Sequence, residues 1–346
     1  KAFNLIKENI YLIEQKLNYT FKEIVLILEN FNPTFINLSG YKKLNGSQIL
    51  KENITYILNS LKANIDKIEN KKSILHIFNS EYSLDRKKIK NLPIGLFGDF
   101  YSHELSFCLI NNNDLKSIKN IFHKCNLRIR KIILKSFVEG AYISNENKDI
   151  DTFFYVKINK NNSQITYFEN DALKFDQNFN FGSEIVLKDI SKVTSLKIDI
   201  IKKIIDSTVL TSSTDKDELI EKNLFKDENY IKIKKRLLYQ IAEARIEEVL
   251  ERVIIKNINL LSFSKKKVKI FVKISDQIHF NCFKGVYSYF FSKKKNLQLE
   301  FIKNVPTKDL MYNVYKLVYF GWKKEAIPIT NSKKSVIARF FDALFN

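Results

Sequence analysis

Apolar side chains recur along this chain at two spacings. In residues 3–17 (FNLIKENIYLIEQKL) they return every three to four positions, which gathers them on one face of a helix. Residues 23–28 (EIVLIL) form a short apolar run between polar residues, the mark of a strand. Residues 33–40 read as a strand with a polar turn following at Gly46, and 47–66 as a helix. SILHIF (73–78) and HELSFCLI (103–110) read as strands around NLPIGLFGD (91–99), a loop punctuated by proline and glycine. Asp114 is placed to cap a helix over 115–125, and IRKIIL (129–134) reads as a strand. FFYVKINKNNSQITYF (153–168) is two strands around a polar tip, hence a hairpin. Residues 184–206 are helical, 211–228 are a charged loop region, and 230–258 carry the longest helical signal. A strand at 268–274 and helices at 281–292 and 309–320 complete the pattern, with no internal repeat. Strands and helices alternate, so the predicted class is α/β.

The last fifteen residues, SKKSVIARFFDALFN (332–346), stand apart. Val336, Ile337, Phe340, Phe341, Leu344 and Phe345 form one apolar stripe on a helix, and Lys333, Lys334, Arg339 and Asp342 occupy the opposite face. Ser332 or Ser335 can cap its start. The stripe is too short to span a bilayer. Two readings fit: a terminal helix docked on its own domain, and a helix lying in a membrane interface. Pro328 and the polar run Thr330, Asn331, Ser332 separate it from the preceding chain, and its polar face is mainly basic, as anionic lipid favours. Both details favour the membrane.

Composition narrows the choice. A length of 346 residues implies two or more domains with ample core. The net charge of +20 raises nucleic-acid binding, yet only seven of the 58 basic residues are arginine, the side chain on which base-edge and bidentate phosphate recognition lean. The surplus of Lys, Asn and Ile reads as a compositional background, and nucleic acid is not an expected partner. Cys108, Cys125 and Cys282 lie far apart without metal spacing and read as buried thiols of a reducing compartment; His76, His103, His123 and His279 form no ligand or triad pattern. Nothing reads as a signal peptide or membrane span. A cytoplasmic protein that touches a membrane is expected, and because residue 1 is Lys, the natural N-terminus is expected to lie outside this sequence.

Several ordered segments resemble the bacterial cell-division FtsA family of actin-like proteins. SILHIFNSEYSLD (73–85) is similar to the family's strand followed by E-Y-x-[IL]-D, and LPIGLFGD (92–99) to its P-x-G-L-x-G. Residues 113–143 follow its helix–strand–helix return, YQIAEARIEEVLERV (239–253) its long helix with A-R-x-E-E, and 332–346 sits where the family carries a membrane-targeting helix. The resemblance implies an actin-like (ribonuclease-H-like) two-lobed fold with an FtsA-type inserted subdomain and a C-terminal amphipathic helix. Its expected parts are 1–32, a partial first lobe; 33–111, the insertion; 112–150, the first-lobe return; 151–192, the second lobe; 193–258, a helical subdomain; 259–329, the second-lobe return; and 330–346, a linker and membrane-targeting helix. The family's first phosphate hairpin is expected outside this sequence. The implied role is to polymerise on the membrane, bind the C-terminal peptide of FtsZ, tie the division ring to the cytoplasmic face of the inner membrane at the septum, and recruit other division proteins. Candidate contacts are Lys235, Arg236 and Arg245 for the FtsZ peptide, whose alternative is a solvated helix face, and Lys333, Lys334, Val336, Ile337, Arg339, Phe340, Phe341, Leu344 and Phe345 for an anionic membrane.

The chain departs from the family at the hairpin 153–168. The second phosphate motif of actin-like ATPases has an Asp and a glycine run there; glycines let backbone N–H groups close on phosphate, and the Asp acts near the metal. Here Lys157 holds the Asp position, and Asn159, Lys160 and Asn161 hold the glycine positions. The adenine-side glycine pair is also replaced, by Lys273, Ile274, Ser275, Asp276 and Gln277. Binding of ATP and magnesium is therefore expected to be weak or lost, leaving a non-catalytic scaffold; the alternative is that Lys157 and Lys160 hold phosphate by charge. No other catalytic set emerges: Glu247 and Glu248 point in different directions on a helix, and Asp149 and Asp151 flank Ile150 in a polar loop.

Overall fold

The structure, a computed structural model, describes residues 2–207, 218–225, 229–257, 260, 268–294 and 296–326. In chain order its elements are α1 (Ala2–Leu17), β1 (Glu23–Leu28), β2 (Thr34–Lys43), α2 (Lys51–Ile68), β3 (Lys72–Leu84), β4 (Lys87–Ile89), β5 (Phe100–Asn111), α3 (Asn112–His123), β6 (Arg128–Leu134), α4 (Lys135–Glu146), β7 (Phe153–Ile158), β8 (Ser163–Glu169), β9 (Ala172–Phe179), α5 (Glu184–Thr194), α6 (Ile198–Ser207), α7 (Lys235–Leu250), β10 (Val268–Ile274), α8 (Gln277–Ser292), β11 (Leu297–Phe301) and α9 (Thr307–Tyr319). The chain divides into two units, Lys1–Pro33 with Cys125–Trp322, and Thr34–Lys124 with Lys323–Asn346.

The first unit is built on a five-stranded sheet in the order β11-β10-β7-β8-β9. β7, β8 and β9 form an antiparallel meander, while β10 runs parallel to β7 and β11 parallel to β10. A three-strand meander followed by two parallel strands added beside its first strand is the ribonuclease-H-like order, so this lobe is actin-like. Side chains alternate across it. Phe154, Val156, Ile158, Ile165, Tyr167, Ile270, Val272 and Ile274 form one buried core with residues of α5, α6, α7 and α8. The same unit contains the parallel pair β1–β6, and β6 leads directly into α4.

The second unit is the antiparallel sheet β2-β5-β3-β4 with α2 against it. Its core includes Ile49, Ile57, Leu61, Ile65, Ile77, Leu105, Phe107 and Leu109. Gly40 permits the close approach of α2, since a Cβ there would lie 2.5 Å from Cγ2 of Ile57. Residues 324–326 run along β3: Asn79 donates its backbone N–H to Lys324 O (2.7 Å), Ala326 donates to Ile77 O (2.7 Å), and Glu325 Oε1 sits 2.8 Å from Nδ1 of His76.

Several sequence expectations shift. Residues 184–206 are two helices rather than one, because Ser195 turns left-handed (φ 61°) between α5 and α6. Asn111, not Asp114, caps α3: its side chain accepts from the Asn113 N–H. The long helix begins at Lys235 rather than 230, and beyond Leu250 its ladder widens to a π turn at Glu251–Ile255. Helix α8 starts at Gln277 rather than 281, where Asp276 caps it through the His279 N–H. Strands β9 and β11 carry enough polar residues to escape an apolar-run criterion. Of the three cysteines only Cys108 is buried; Cys125 and Cys282 are half-buried. Most of 211–228, and all of 332–346, lie outside the described residues.

Candidate functional site

The hairpin singled out by sequence is β7–β8, and Lys157 lies in its first strand rather than at its tip. Cross-strand register puts Lys157 beside Lys273 on one side and Gln164 on the other, so the three share one sheet face. That face meets α4. Lys157 Nζ donates to Glu139 Oε2 at 2.9 Å, and Lys273 Nζ lies 3.5 Å from Glu139 Oε1. Lys157 and Glu139 are both buried. Burial lowers the pKa of Lys273, with Glu139 pulling the other way and Lys157 and Lys135 adding repulsion. One row along, Asp176 accepts from Ser136 Oγ, Thr166 Oγ1 and Gln164 Nε2, each at 2.9 Å. Burial raises the Asp176 carboxyl to about 6, opposed by those hydrogen bonds and by Lys157.

The tip is closed on itself and on its neighbours. Asn159 donates its backbone N–H to Asn162 O (2.9 Å), and its side-chain amide donates to Asn162 Oδ1 (3.0 Å). The N–H groups of Ser183 and Glu184, at the start of α5, donate to the carbonyls of Asn159 and Lys160, each at 2.9 Å. These are the first-turn donors that a helix would otherwise offer to an anion. Gly182 allows the approach: a Cβ there would lie 2.1 Å from Asn159 O and 2.7 Å from Lys160 O. From the β10 end, Ser275 donates its N–H to Ile158 O (2.9 Å) and its hydroxyl to Asn159 Oδ1 (2.6 Å). From the segment after β1, Asn30 Oδ1 accepts from Asn162 Nδ2 (2.9 Å), and Phe31 O accepts from Asn178 Nδ2 (2.7 Å). Lys160 and Asn161 are exposed, and Lys160 Nζ is 3.6 Å from Glu184 Oε1.

These residues do not fit a magnesium triphosphate. The α5 amides already donate to carbonyls, and Asn159, Lys160 and Asn161 place side chains where a phosphate cradle needs bare backbone. Glu139, the buried acid of the site, has a lysine at each oxygen. Sequence reasoning found Lys157 and the hairpin but missed Glu139 and Gly182. Nothing in the spacing of α4 marks Glu139; only the fold brings it beneath β7.

The second set of sequence candidates lies on α7. Lys235 is buried and paired with Glu218, and Arg236 is half-buried. Arg245, ten positions beyond Lys235 and about 15 Å along the helix, is held by Asp189 of α5 and by Glu248 Oε2 at 2.7 Å. Arg245 and these two acids line a groove of about 440 Å³ between α5 and α7, with Lys192, Val193, Ile241 and Ala244. Only Arg245 of the three cations lines it. The membrane candidates Lys333, Lys334, Val336, Ile337, Arg339, Phe340, Phe341, Leu344 and Phe345 lie outside the described residues.

No family model matches the chain. It is 24% identical over 342 residues to the cell division protein FtsA of Buchnera aphidicola subsp. Baizongia pistaciae (strain Bp), covering 92% of this chain and 79% of that protein. It is also 24% identical over 191 residues to FtsA of Buchnera aphidicola subsp. Schizaphis graminum (strain Sg), covering 55% of this chain and 45% of the relative. FtsA of Buchnera aphidicola subsp. Acyrthosiphon pisum (strain APS) gives 24% over 195 residues, 56% and 46%. The matches to the last two thus take in just under half of each relative's length. Similar solved structures include a chain of the PilM-PilN type IV pilus biogenesis complex (8% identity, 92% of this chain, 84% of that one, TM-score 0.46) and MreB5 of Spiroplasma citri bound to AMPPNP (14%, 60%, 63%, 0.37). Sequence similarity of this extent, with the strand order of the five-stranded sheet, supports a divergent FtsA-like protein of actin-like fold.

Proposed function

We propose that this chain acts in cell division as an FtsA-like scaffold that ties FtsZ to the cytoplasmic face of the inner membrane at the septum, assembles with copies of itself, and recruits further division proteins. The observation that carries the reading is the FtsA similarity across 92% of the chain. Attachment runs through the amphipathic pattern at 332–346. No described helix is long and apolar enough to cross a membrane. The FtsZ peptide docks on the α5–α7 side, where Arg245 lines a groove and Arg236 lies on the same helix. The scaffold works without a nucleotide cycle. The Lys157–Glu139–Lys273 cluster and the capped start of α5 support this, because both use up the groups with which Lys157 and the backbone would hold phosphate.

Flotation with anionic liposomes and labelled FtsZ tests the tether. FtsZ is expected to float only with the full-length protein present, and the Phe340→Glu, Leu344→Glu double variant is expected to release both while remaining folded. Burying a Phe or Leu fully is worth about 1.5–3 kcal/mol, and interfacial burial gives part of that. FtsZ flotation that ignores the double substitution removes the tail from the account.

A further inference from the structure

In the second unit the loop 91–99 displays apolar side chains and is held rigidly. Leu92, Ile94, Leu96 and Phe97 are 40%, 42%, 47% and 69% exposed, and the adjoining Leu50 is 50% exposed. Their exposure is built in. Pro93 is buried, Ile49 N–H donates to Leu96 O (2.8 Å), Gly95 N–H donates to Ile49 O (2.9 Å), and Gln48 Nε2 donates to Gly95 O (2.8 Å). At the loop's end, Asp85 Oδ1 accepts from the N–H groups of Asp99 (3.0 Å) and Phe100 (2.8 Å). Gly95 (φ +89°) makes the turn that presents Ile94 and Leu96 together. A backbone secured at this many points, holding four large apolar groups toward water, marks an interaction surface.

The surroundings select the partner. Arg86, Lys87, Lys88 and Lys90 precede the apolar run and Lys51 follows Leu50, all exposed. Among nearby acids, Asp85 is used by the loop backbone and Glu81 pairs with Lys88, leaving Glu52 and Asp99 on the surface. The result is an exposed apolar loop flanked along the chain by more cations than acids. Apolar groups that enter the acyl boundary while cations stay at the headgroups match an anionic bilayer on both counts.

We propose that the loop 92–97, with its basic flanking residues, inserts into an anionic lipid surface as a membrane contact separate from the terminal segment. The proposal rests on the membrane reading above, and the experiment separates the two. In the full-length protein a Phe97→Trp probe is mixed with brominated phosphatidylglycerol vesicles. The chain's single natural tryptophan, Trp322, is buried and gives a constant background. Quenching and a blue shift with anionic vesicles, and neither with neutral ones, is the expected result. An Ile94→Ser, Phe97→Ser variant is expected to need about tenfold more lipid for half-maximal flotation. The tail reading is scored separately, by deleting 332–346 and measuring flotation. A protein that floats while the probe stays unquenched overturns the loop contact and leaves the surface to a protein partner. A full-length protein that does not float overturns both contacts.

Discussion

The ammonium of Lys157 lies 2.9 Å from Oε2 of Glu139, with both side chains nearly out of solvent and Lys273 3.5 Å from the other carboxylate oxygen. One buried acid thus contacts two cations. Breaking such a cluster from one side costs about 3–5 kcal/mol, because a charge is left buried without its partner. Glu139→Gln leaves two lysines facing each other and is expected to cost that much. Lys157→Met leaves Glu139 with Lys273 and is expected to cost less. Urea unfolding of the two variants measures the difference. Equal losses would show that the cluster is not organised around the acid.

The cluster also marks how far the chain could be read. The apolar period revealed α1, β1, β6 and β10 because each presents one clear stripe or run. β7 and β8 were legible as a hairpin for the same reason, although β7 is buried on both faces and its Lys157 faces another helix. β9 was not legible, because its alternate positions Lys174, Asp176 and Asn178 are polar. Asp176 is held by three donor side chains that only the assembled sheet and α4 supply. The break at Ser195 was hidden too, since a left-handed serine carries no glycine signal. At the site, the missing glycines were plain in the sequence. What replaced their ligand was not, because the carbonyls of Asn159 and Lys160 meet α5 through backbone contacts across more than twenty residues.

Stability is expected to fall on mild acidification. Burial holds His103 and His279 at about 4, with Lys324 adding to the effect at His103 and Asp276 opposing it at His279. Both pKa values lie below the unfolded value of about 6.5, so the unfolded chain takes up protons first as the pH drops. Stability is lost between about 6.5 and 4, by roughly 2 kcal/mol per histidine at pH 5. Asp176, raised to about 6, works in the opposite direction, since the folded state holds its proton more tightly. Unfolding free energies of parent and His279→Gln between pH 7 and 5 test the sign. A parent curve that rises toward pH 5, or a variant with the same slope, contradicts it.

Binding of an FtsZ tail peptide is expected to depend on α7 and on salt. Arg236 is half-buried, and Arg245 is already shared by Asp189 and Glu248. An acidic peptide at Arg245 must compete with two resident carboxylates, so its contribution is expected to be screened readily. Arg236→Glu, which disturbs neither of those pairs, is the cleaner variant, and circular dichroism should accompany Arg245→Glu. Each is expected to weaken peptide affinity at low salt and to converge on the parent at high salt. Unchanged affinity in a peptide titration would place the site elsewhere.

The last expectation concerns nucleotide. A triphosphate at this hairpin would have to draw the Ser183 and Glu184 amides away from the Asn159 and Lys160 carbonyls, at 2.9 Å each, and leave those carbonyls without donors. It would also need Lys157, whose removal strands Glu139 beside Lys273 alone. Charge attraction to the exposed Lys160 alone gives about 0–1 kcal/mol at the surface. The full-length protein is therefore expected to show no saturable heat or thermal shift with ATP and magnesium up to millimolar concentration. The Lys157→Asp variant is not expected to restore binding either, because the capped start of α5 is untouched by it. Micromolar, saturable binding by the parent would show that the hairpin opens, and would return Lys157 and Lys160 to a phosphate-holding role.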